Sequence, residues 1–337
     1  MRVLLVKLSS LGDVVHTLPV VHDISQAYPG VHIDWVVEKG FAPLVSRCVG
    51  IDRVIPCELR RWRHAPWRLE TRMAWREFRT ALQQESYDAV IDLQGLSKSA
   101  LVSWMARCTP NGKRYALANR TEGSGYEAPT RWAADVLIPI EPHVHAVMRG
   151  RLMCAQALGY RMSDHEVFGL ETLDESGKSA IENEAIKQVQ PLPCVALVHG
   201  TSRADKEWPM SHWLSLGQKL RAAGYRLAWL HGSDAEQQRS EQLASQLPGS
   251  TVWPHLSLDG LMDAMAHCAG VIGVDSGVSH IAVALDLPHV QIYNFDTAWR
   301  TGPVNRAHQR SIVAQPTPSV DAVWQAWQLV EKPVEAP

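Results

Sequence analysis

Apolar residues fall into short continuous runs that alternate with helix-spaced sets along most of the chain. The first run, within residues 2–8, has strand length. The small polar stretch Ser9-Ser10-Leu11-Gly12-Asp13 follows it, and then a helix-spaced segment, 14–28, which Pro29-Gly30 ends. The same alternation predicts strands at 32–37, 53–56 and 89–92, with helices at 41–48, about 67–85, 98–107 and 143–158. Residues 110–130, rich in Gly, Asn, Thr and charge, carry no period and read as a long loop. Residues 159–192 are polar, with helical spacing near 174–189 and prolines at 191 and 193, and make the best domain boundary. The pattern then restarts. Strands are predicted at 195–199, 226–230 and 290–293, helices at 210–223 and 235–247, an apolar segment at 258–266 and an amphipathic helix at 319–331.

Strand–helix alternation predicts parallel sheets with right-handed crossovers. The expected fold is α/β, with two doubly wound Rossmann-like domains facing one another across a cleft and ligands at the carboxyl ends of the strands. The expected divisions are 1–175, 176–318 and a C-terminal segment, 319–337, whose helix packs back on the N-terminal domain.

Composition narrows the class. A length of 337 residues suits two domains, and 46% hydrophobic with 20% charged residues describes a globular chain. The six cysteines are scattered, with neither a CxxC pair nor a Cys/His cluster at metal spacing. That points to a reducing compartment and away from zinc or a disulfide framework. The first apolar run is cut by Lys7 and is far shorter than a leader's core, so no signal peptide is expected. No run approaches the ~20 apolar residues of a membrane span. A net charge of −2 excludes a whole-molecule electrostatic grip on nucleic acid. Locally, however, residues 60–79 hold seven Arg against Glu70 and Glu77, with three Trp interleaved.

The segment GVIGVDSGVSHIAVAL (270–285) passes from strand through a tight turn into a helix start. Two readings stand for it. One is an ordinary turn with Asp275 as N-cap. The other is an anion cradle, in which unpartnered helix-start N–H groups and the dipole meet a phosphate, Gly277 lets it approach and His280 reaches it. Asp13 is either a simple N-cap or a carboxylate at the mouth of the first sheet, ionised at neutral pH and able to take a proton from an attacking hydroxyl. Lys206, in TSRADKEW, is either a surface lysine or the cation for a departing phosphate, with Thr201 and Ser202 beside it. Arg60, Arg61 and Arg63 cannot share one helix face and Pro66 limits a helix there, so a loop presenting guanidinium forks is expected, with Lys98 and Arg120 adding charge. GxGxxG, GxxxxGK[ST], HExxH and Asp-x-Asp motifs are all missing from the sequence.

With these residues assembled, the chain resembles the lipopolysaccharide heptosyltransferases. The matching stretches are VLLVKLSSLGDVVHTLPV (3–20), IDWVVEKGFA (33–42), RVIPCELRRWR (53–63), YDAVIDLQGLSKSAL (87–101), HAVMRGRLM (145–153), TSRADKEWP (201–209) and VDSGVSHIAVAL (274–285). The RRWR and LQGL-x-KSA segments favour the branch that adds the first inner-core heptose. The resemblance implies a GT-B architecture, no metal or other cofactor, and inverting transfer of L-glycero-D-manno-heptose from an ADP-activated donor to Kdo of Kdo2-lipid A. It places the protein peripherally on the cytoplasmic face of the inner membrane. It makes Asp13 the general base and Lys206 the diphosphate ligand. Donor contacts would be Thr201, Ser202, Glu236, Leu256, Asp275, Ser276, Gly277 and His280; acceptor contacts would be Ser10, Arg60, Arg61, Arg63, Lys98 and Arg120. The family usually carries Thr where Ser276 stands, and YGPTDP where this chain reads Tyr293-Asn294-Phe295-Asp296-Thr297-Ala298. Residues 110–130 match poorly. A related transferase with another acceptor, or a non-catalytic nucleotide-sugar-binding protein, are the competing readings.

Overall fold

The computed structural model describes residues 1–172, 193–304 and 306–331. The chain divides into two compact units, Met1–Glu171 and Thr172–Pro337. The predicted boundary at 175/176 and the predicted helix at 174–189 lie outside the described residues.

In the first unit the strands are β1 (Arg2–Val6), β2 (His32–Glu38), β3 (Arg53–Cys57), β4 (Ser86–Asp92), β5 (Arg107–Leu117) and β6 (Val136–Ile138). They form one sheet in the order β3-β2-β1-β4-β5-β6, every pair parallel. The helices are α1 (Leu11–Val15), α2 (Pro19–Ala27), α3 (Ala42–Ser46), α4 (Leu59–His64), α5 (Leu69–Leu82), α6 (Ser97–Met105) and α7 (Ala146–Leu158). In the second unit the strands are β7 (Cys194–Val198), β8 (Arg226–Trp229), β9 (Ser250–Val252), β10 (Gly270–Val274), β11 (His289–Tyr293) and β12 (Gln309–Val313), in the order β12-β11-β10-β7-β8-β9, again all parallel. Its helices are α8 (Met210–Ala222), α9 (Asp234–Gln246), α10 (Leu258–Ala266), α11 (Gly277–Ala284), α12 (Ala298–Thr301) and α13 (Val320–Val330). Each unit thus repeats one doubly wound order. In each, the direction of winding reverses between the first and fourth strands, β1/β4 and β7/β10, where such sheets open a crevice for ligands.

The central strands are apolar throughout because helices cover both faces. Residues 3–6 and 271–274 are buried. Trp35, Trp213, Trp229 and Trp327 are fully buried and account for part of the tryptophan excess. A proline at its first position opens α2, where the missing N–H is harmless, so the predicted helix 14–28 becomes α1 and α2.

Several expectations are corrected. Residues 59–64, expected as a loop, form α4, because Trp62 turns into the core against Trp75 and Phe78 while Arg60, Arg61 and Arg63 stay exposed. Residues 110–117 of the expected 110–130 loop are strand, the end of β5. Lys113 to Ala116 pair with Ala89 to Asp92 past an irregularity between Tyr87 and Ala89 that hides the alternation. The C-terminal helix packs on the second unit. α13 lies against α8, β11 and β12, and its Val323, Ala326, Trp327 and Val330 join that unit's core. The physical reason is its apolar face, which the outer part of the second sheet covers.

Candidate active site

At the β1/β4 reversal, the loop after β1 carries Asp13. Asp13 is not the N-cap of α1. Ser10 is, and Asp13 reaches back from the first turn, accepting from the Ser10 N–H at 3.2 Å and from its Oγ at 2.9 Å. Two cations face its other oxygen. Lys7 Nζ and Arg149 of α7 each lie 3.7 Å from Asp13 Oδ1. Burial pushes the Asp13 carboxyl up, but Lys7, Arg149 and the Ser10 bonds outweigh it and hold it below the ordinary carboxylate range. About a third of the side chain remains exposed, 36%. The group is therefore an ionised carboxylate that solvent can reach.

A network of hydrogen bonds surrounds Asp13. Lys7 is buried, and Lys7 Nζ donates to Leu93 O at 3.1 Å. Burial lowers its pKa, Arg149 adds to that, and the Asp13 and Asp92 carboxyls oppose it. Gln94 Oε1 accepts from the N–H groups of Leu8 and Ser9, at 3.1 and 3.0 Å, joining the loops after β1 and β4. Asp92, pushed up to about 6 by burial, accepts from the N–H groups of Gln94 and Gly95 and from Ser99 Oγ. Lys98 Nζ donates to Ser9 Oγ at 3.0 Å, which brings one predicted acceptor contact to this loop. Arg60, Arg61 and Arg63 follow β3 and are exposed, with Arg61 paired to Glu58 at 3.1 Å. Arg120 follows β5 and is exposed.

In the second unit the predicted donor residues come from the carboxyl ends of four strands. Thr201, Ser202 and Lys206 follow β7, Glu236 follows β8, Leu256 follows β9, and Asp275 to His280 follow β10. Asp275 is not the N-cap of α11. Ser276 is, with its Oγ accepting from Ser279 N. Asp275 is instead a buried hub. Its Oδ2 takes Lys206 Nζ at 2.6 Å and its Oδ1 lies 3.4 Å from His280 Nε2. Burial pushes its carboxyl up, but His280 and Lys206 reverse this and hold it well below the carboxylate range. Thr201 Oγ1 donates to the Asp275 carbonyl at 3.1 Å, fastening the β7 loop to the β10 loop. As at any helix start, the N–H groups of Gly277 and Val278 have no carbonyl one turn back. Glu236 sits against Gly200, where a Cβ would lie 2.5 Å from its carboxyl, and accepts from Gly232 N–H at 2.7 Å. Leu256 is half-buried beside the start of α10. A cation, a helix start and small polar groups around one sheet end can hold a phosphorylated ligand.

Sequence reasoning missed Lys7, Arg149, Gln94, Gln291 and Asn294. Lys7 had a usable signal, a charge at the end of an otherwise apolar buried strand. Arg149 had a weaker one, an arginine among the buried positions of α7. Gln291, whose Nε2 lies 3.4 Å from His280 Nδ1, is a polar residue inside a buried strand. Gln94 and Asn294 lie in loops, and only the fold reveals their partners.

Residues 75–324 match the family described as glycosyltransferase family 9 (heptosyltransferase). The chain is 36% identical over 316 residues to lipopolysaccharide heptosyltransferase 1 of Pseudomonas aeruginosa, covering 91% of this chain and 82% of that protein. Among solved structures it is similar to Escherichia coli heptosyltransferase WaaC with ADP, with a TM-score of 0.81 and 33% identity over 96% of this chain and 98% of that one. It is also similar to the same enzyme with ADP-2-deoxy-2-fluoro heptose, with a TM-score of 0.76, 33% identity and the same coverage of each chain.

Proposed function

The chain belongs to glycosyltransferase family 9 and is a lipopolysaccharide heptosyltransferase; on that premise we propose that its donor is ADP-L-glycero-D-manno-heptose and its acceptor the Kdo of Kdo2-lipid A. The diphosphate is displaced from the anomeric carbon in a single step, with inversion. The acceptor oxygen bonds to that carbon as the bond to the diphosphate breaks. Asp13 takes the hydroxyl proton, and ADP leaves with its charge held by Lys206 and the start of α11. The ADP-heptose analogue bound by the WaaC relative supports the donor.

The observation that carries the reading is Asp13, an ionised carboxylate flanked by Lys7 and Arg149 at the first unit's switch point. It is the right group to accept a proton while an oxocarbenium-like centre forms. In the second unit, Thr201, Ser202, Ser276, Gly277 and His280 line the diphosphate and sugar, Glu236 the ribose and Leu256 the adenine. In the first, Ser10, Arg60, Arg61, Arg63, Lys98 and Arg120 meet the anionic acceptor. We propose that the reaction needs no divalent metal, since Lys206 and a helix start supply positive charge where the diphosphate departs.

We propose that the protein works peripherally at the cytoplasmic face of the inner membrane. No described helix is long and apolar enough to cross a membrane. Trp67, Leu69 and Met73 stand exposed among Arg68, Arg72 and Arg76. This mixture of apolar and cationic side chains suits an anionic lipid surface.

The test is ADP release from ADP-heptose in the presence of Kdo2-lipid A, with excess EDTA in a parallel arm. Asp13→Asn should lower turnover by about 10²–10⁴ with ADP affinity retained. Near-wild-type turnover in that variant removes Asp13 as the base, and loss of transfer in EDTA removes the metal-free account.

A further inference from the structure

Directly after β11 the chain places Asn294 and Phe295. An asparagine carboxamide has two N–H donors and one carbonyl acceptor. Asn294 spends both donors on one turn. Its Nδ2 donates to Asp205 O and to Glu207 O, each at 2.9 Å. Those are the carbonyls on either side of Lys206. Its Oδ1 accepts from Thr317 Oγ1 at 2.7 Å, which fixes the carboxamide plane from the opposite side.

The turn needs such support. Ala204–Lys206 is a single three-residue 3-10 turn, closed by Lys206 N–H to Arg203 O and Glu207 N–H to Ala204 O, both at 3.1 Å. Its 3-10 hydrogen bonds have poorer geometry than those of an α-helix. Arg203, Ala204 and Asp205 are exposed, so little core packing restrains them. Phe295 adds a second contact from the same loop, with its ring centroid 5.9 Å from the Arg203 guanidinium carbon. Residues 294 and 295 therefore brace the turn at its carbonyls and at its leading side chain.

We propose that Asn294 is a positioning residue for the donor diphosphate, acting by holding the 203–207 turn so that Lys206 Nζ stays at the mouth of β10. The proposal rests on the reading of Lys206 as the diphosphate ligand. A lysine side chain is long and rotamer-rich, so the place of its Cα decides how much order its ammonium must gain on binding.

The experiment is a double-mutant cycle on ADP affinity, measured calorimetrically on the full chain with Lys206→Met, Asn294→Ala and the double variant. The cycle is repeated with Asn294→Asp, which keeps the shape and the Thr317 contact but removes both N–H donors. Circular dichroism checks that each variant is folded. Asn294→Ala and Asn294→Asp should each weaken ADP about five- to tenfold, as for one or two lost hydrogen bonds. In the Lys206→Met background the same changes should weaken it less than about twofold, since their route is gone. Equal losses in both backgrounds overturn the positioning role while leaving Lys206 as the diphosphate ligand. Unchanged affinity in both Asn294 variants overturns it as well. If Lys206→Met itself binds ADP like the wild type, the reading of Lys206 falls first and the positioning role falls with it.

Discussion

Replacing Lys206 with methionine removes the shorter of the two polar contacts to the Asp275 carboxylate and leaves the carboxylate in place. The two side chains are 16% and 5% exposed and 2.6 Å apart. A charge-assisted hydrogen bond contributes about 1.5–3 kcal/mol net, and breaking a fully buried pair costs about 3–5 kcal/mol. Lys206 keeps some solvent, and His280 still faces the other oxygen at 3.4 Å, so the lower range applies. About 2 kcal/mol is expected, which lowers the melting temperature of a unit of this size by about 4–8 °C. Lys206→Met with Asp275→Asn should melt above Lys206→Met alone, because no buried charge is then left short of a partner. Both variants should bind ADP about tenfold more weakly, since the cation is gone from each. The pH dependence has a definite sign. The Asp275 carboxyl is held down in the folded state, so its contribution is present above the unfolded value of about 3.9 and is lost as pH falls through the folded value. In Lys206→Met the folded value rises, so that loss should be smaller and complete at higher pH. Differential scanning calorimetry from pH 3 to pH 8 measures these effects. A Lys206→Met protein as stable as the wild type, or a double variant less stable than the single one, refutes the hub role of Asp275.

Arg149→Met should move the acid limb of the pH–rate profile to higher pH, because a cation 3.7 Å from Asp13 that keeps the base ionised is removed; an unmoved limb would show that Arg149 does not tune Asp13. Replacing Trp67, Leu69 and Met73 together with Ser should cut co-sedimentation with anionic phospholipid vesicles severalfold while leaving ADP affinity unchanged, and undiminished binding would remove this face as the lipid contact. Gly200→Ala should raise the KM for the donor, since its Cβ would meet the Glu236 carboxyl at 2.5 Å, and an unchanged KM would separate Glu236 from the donor site.

Much of this protein was legible in its sequence because the signals are local. Buried parallel strands read as apolar runs, and a helix after each run points to parallel sheets with crossovers. Asp13, Lys206 and the Asp275 stretch were visible as small or charged residues directly after strands. The short strands β6, β9 and β12 left no such mark, for three to five residues with mixed burial have no period to detect. The Arg60 segment misled because Trp62 alone supplies the buried face of α4, a contact decided by Trp75 and Phe78.

By itself, then, the order of residues determined two parallel α/β sheets and the positions along the chain where the candidate site residues emerge, since strand burial and helix starts depend on near neighbours. Only tertiary structure decided which charges meet. Arg149 reaches Asp13 across 136 positions and Lys206 reaches Asp275 across 69. Their pairing, and with it the ionised state of each carboxylate, follows from distance through space, which no local pattern encodes.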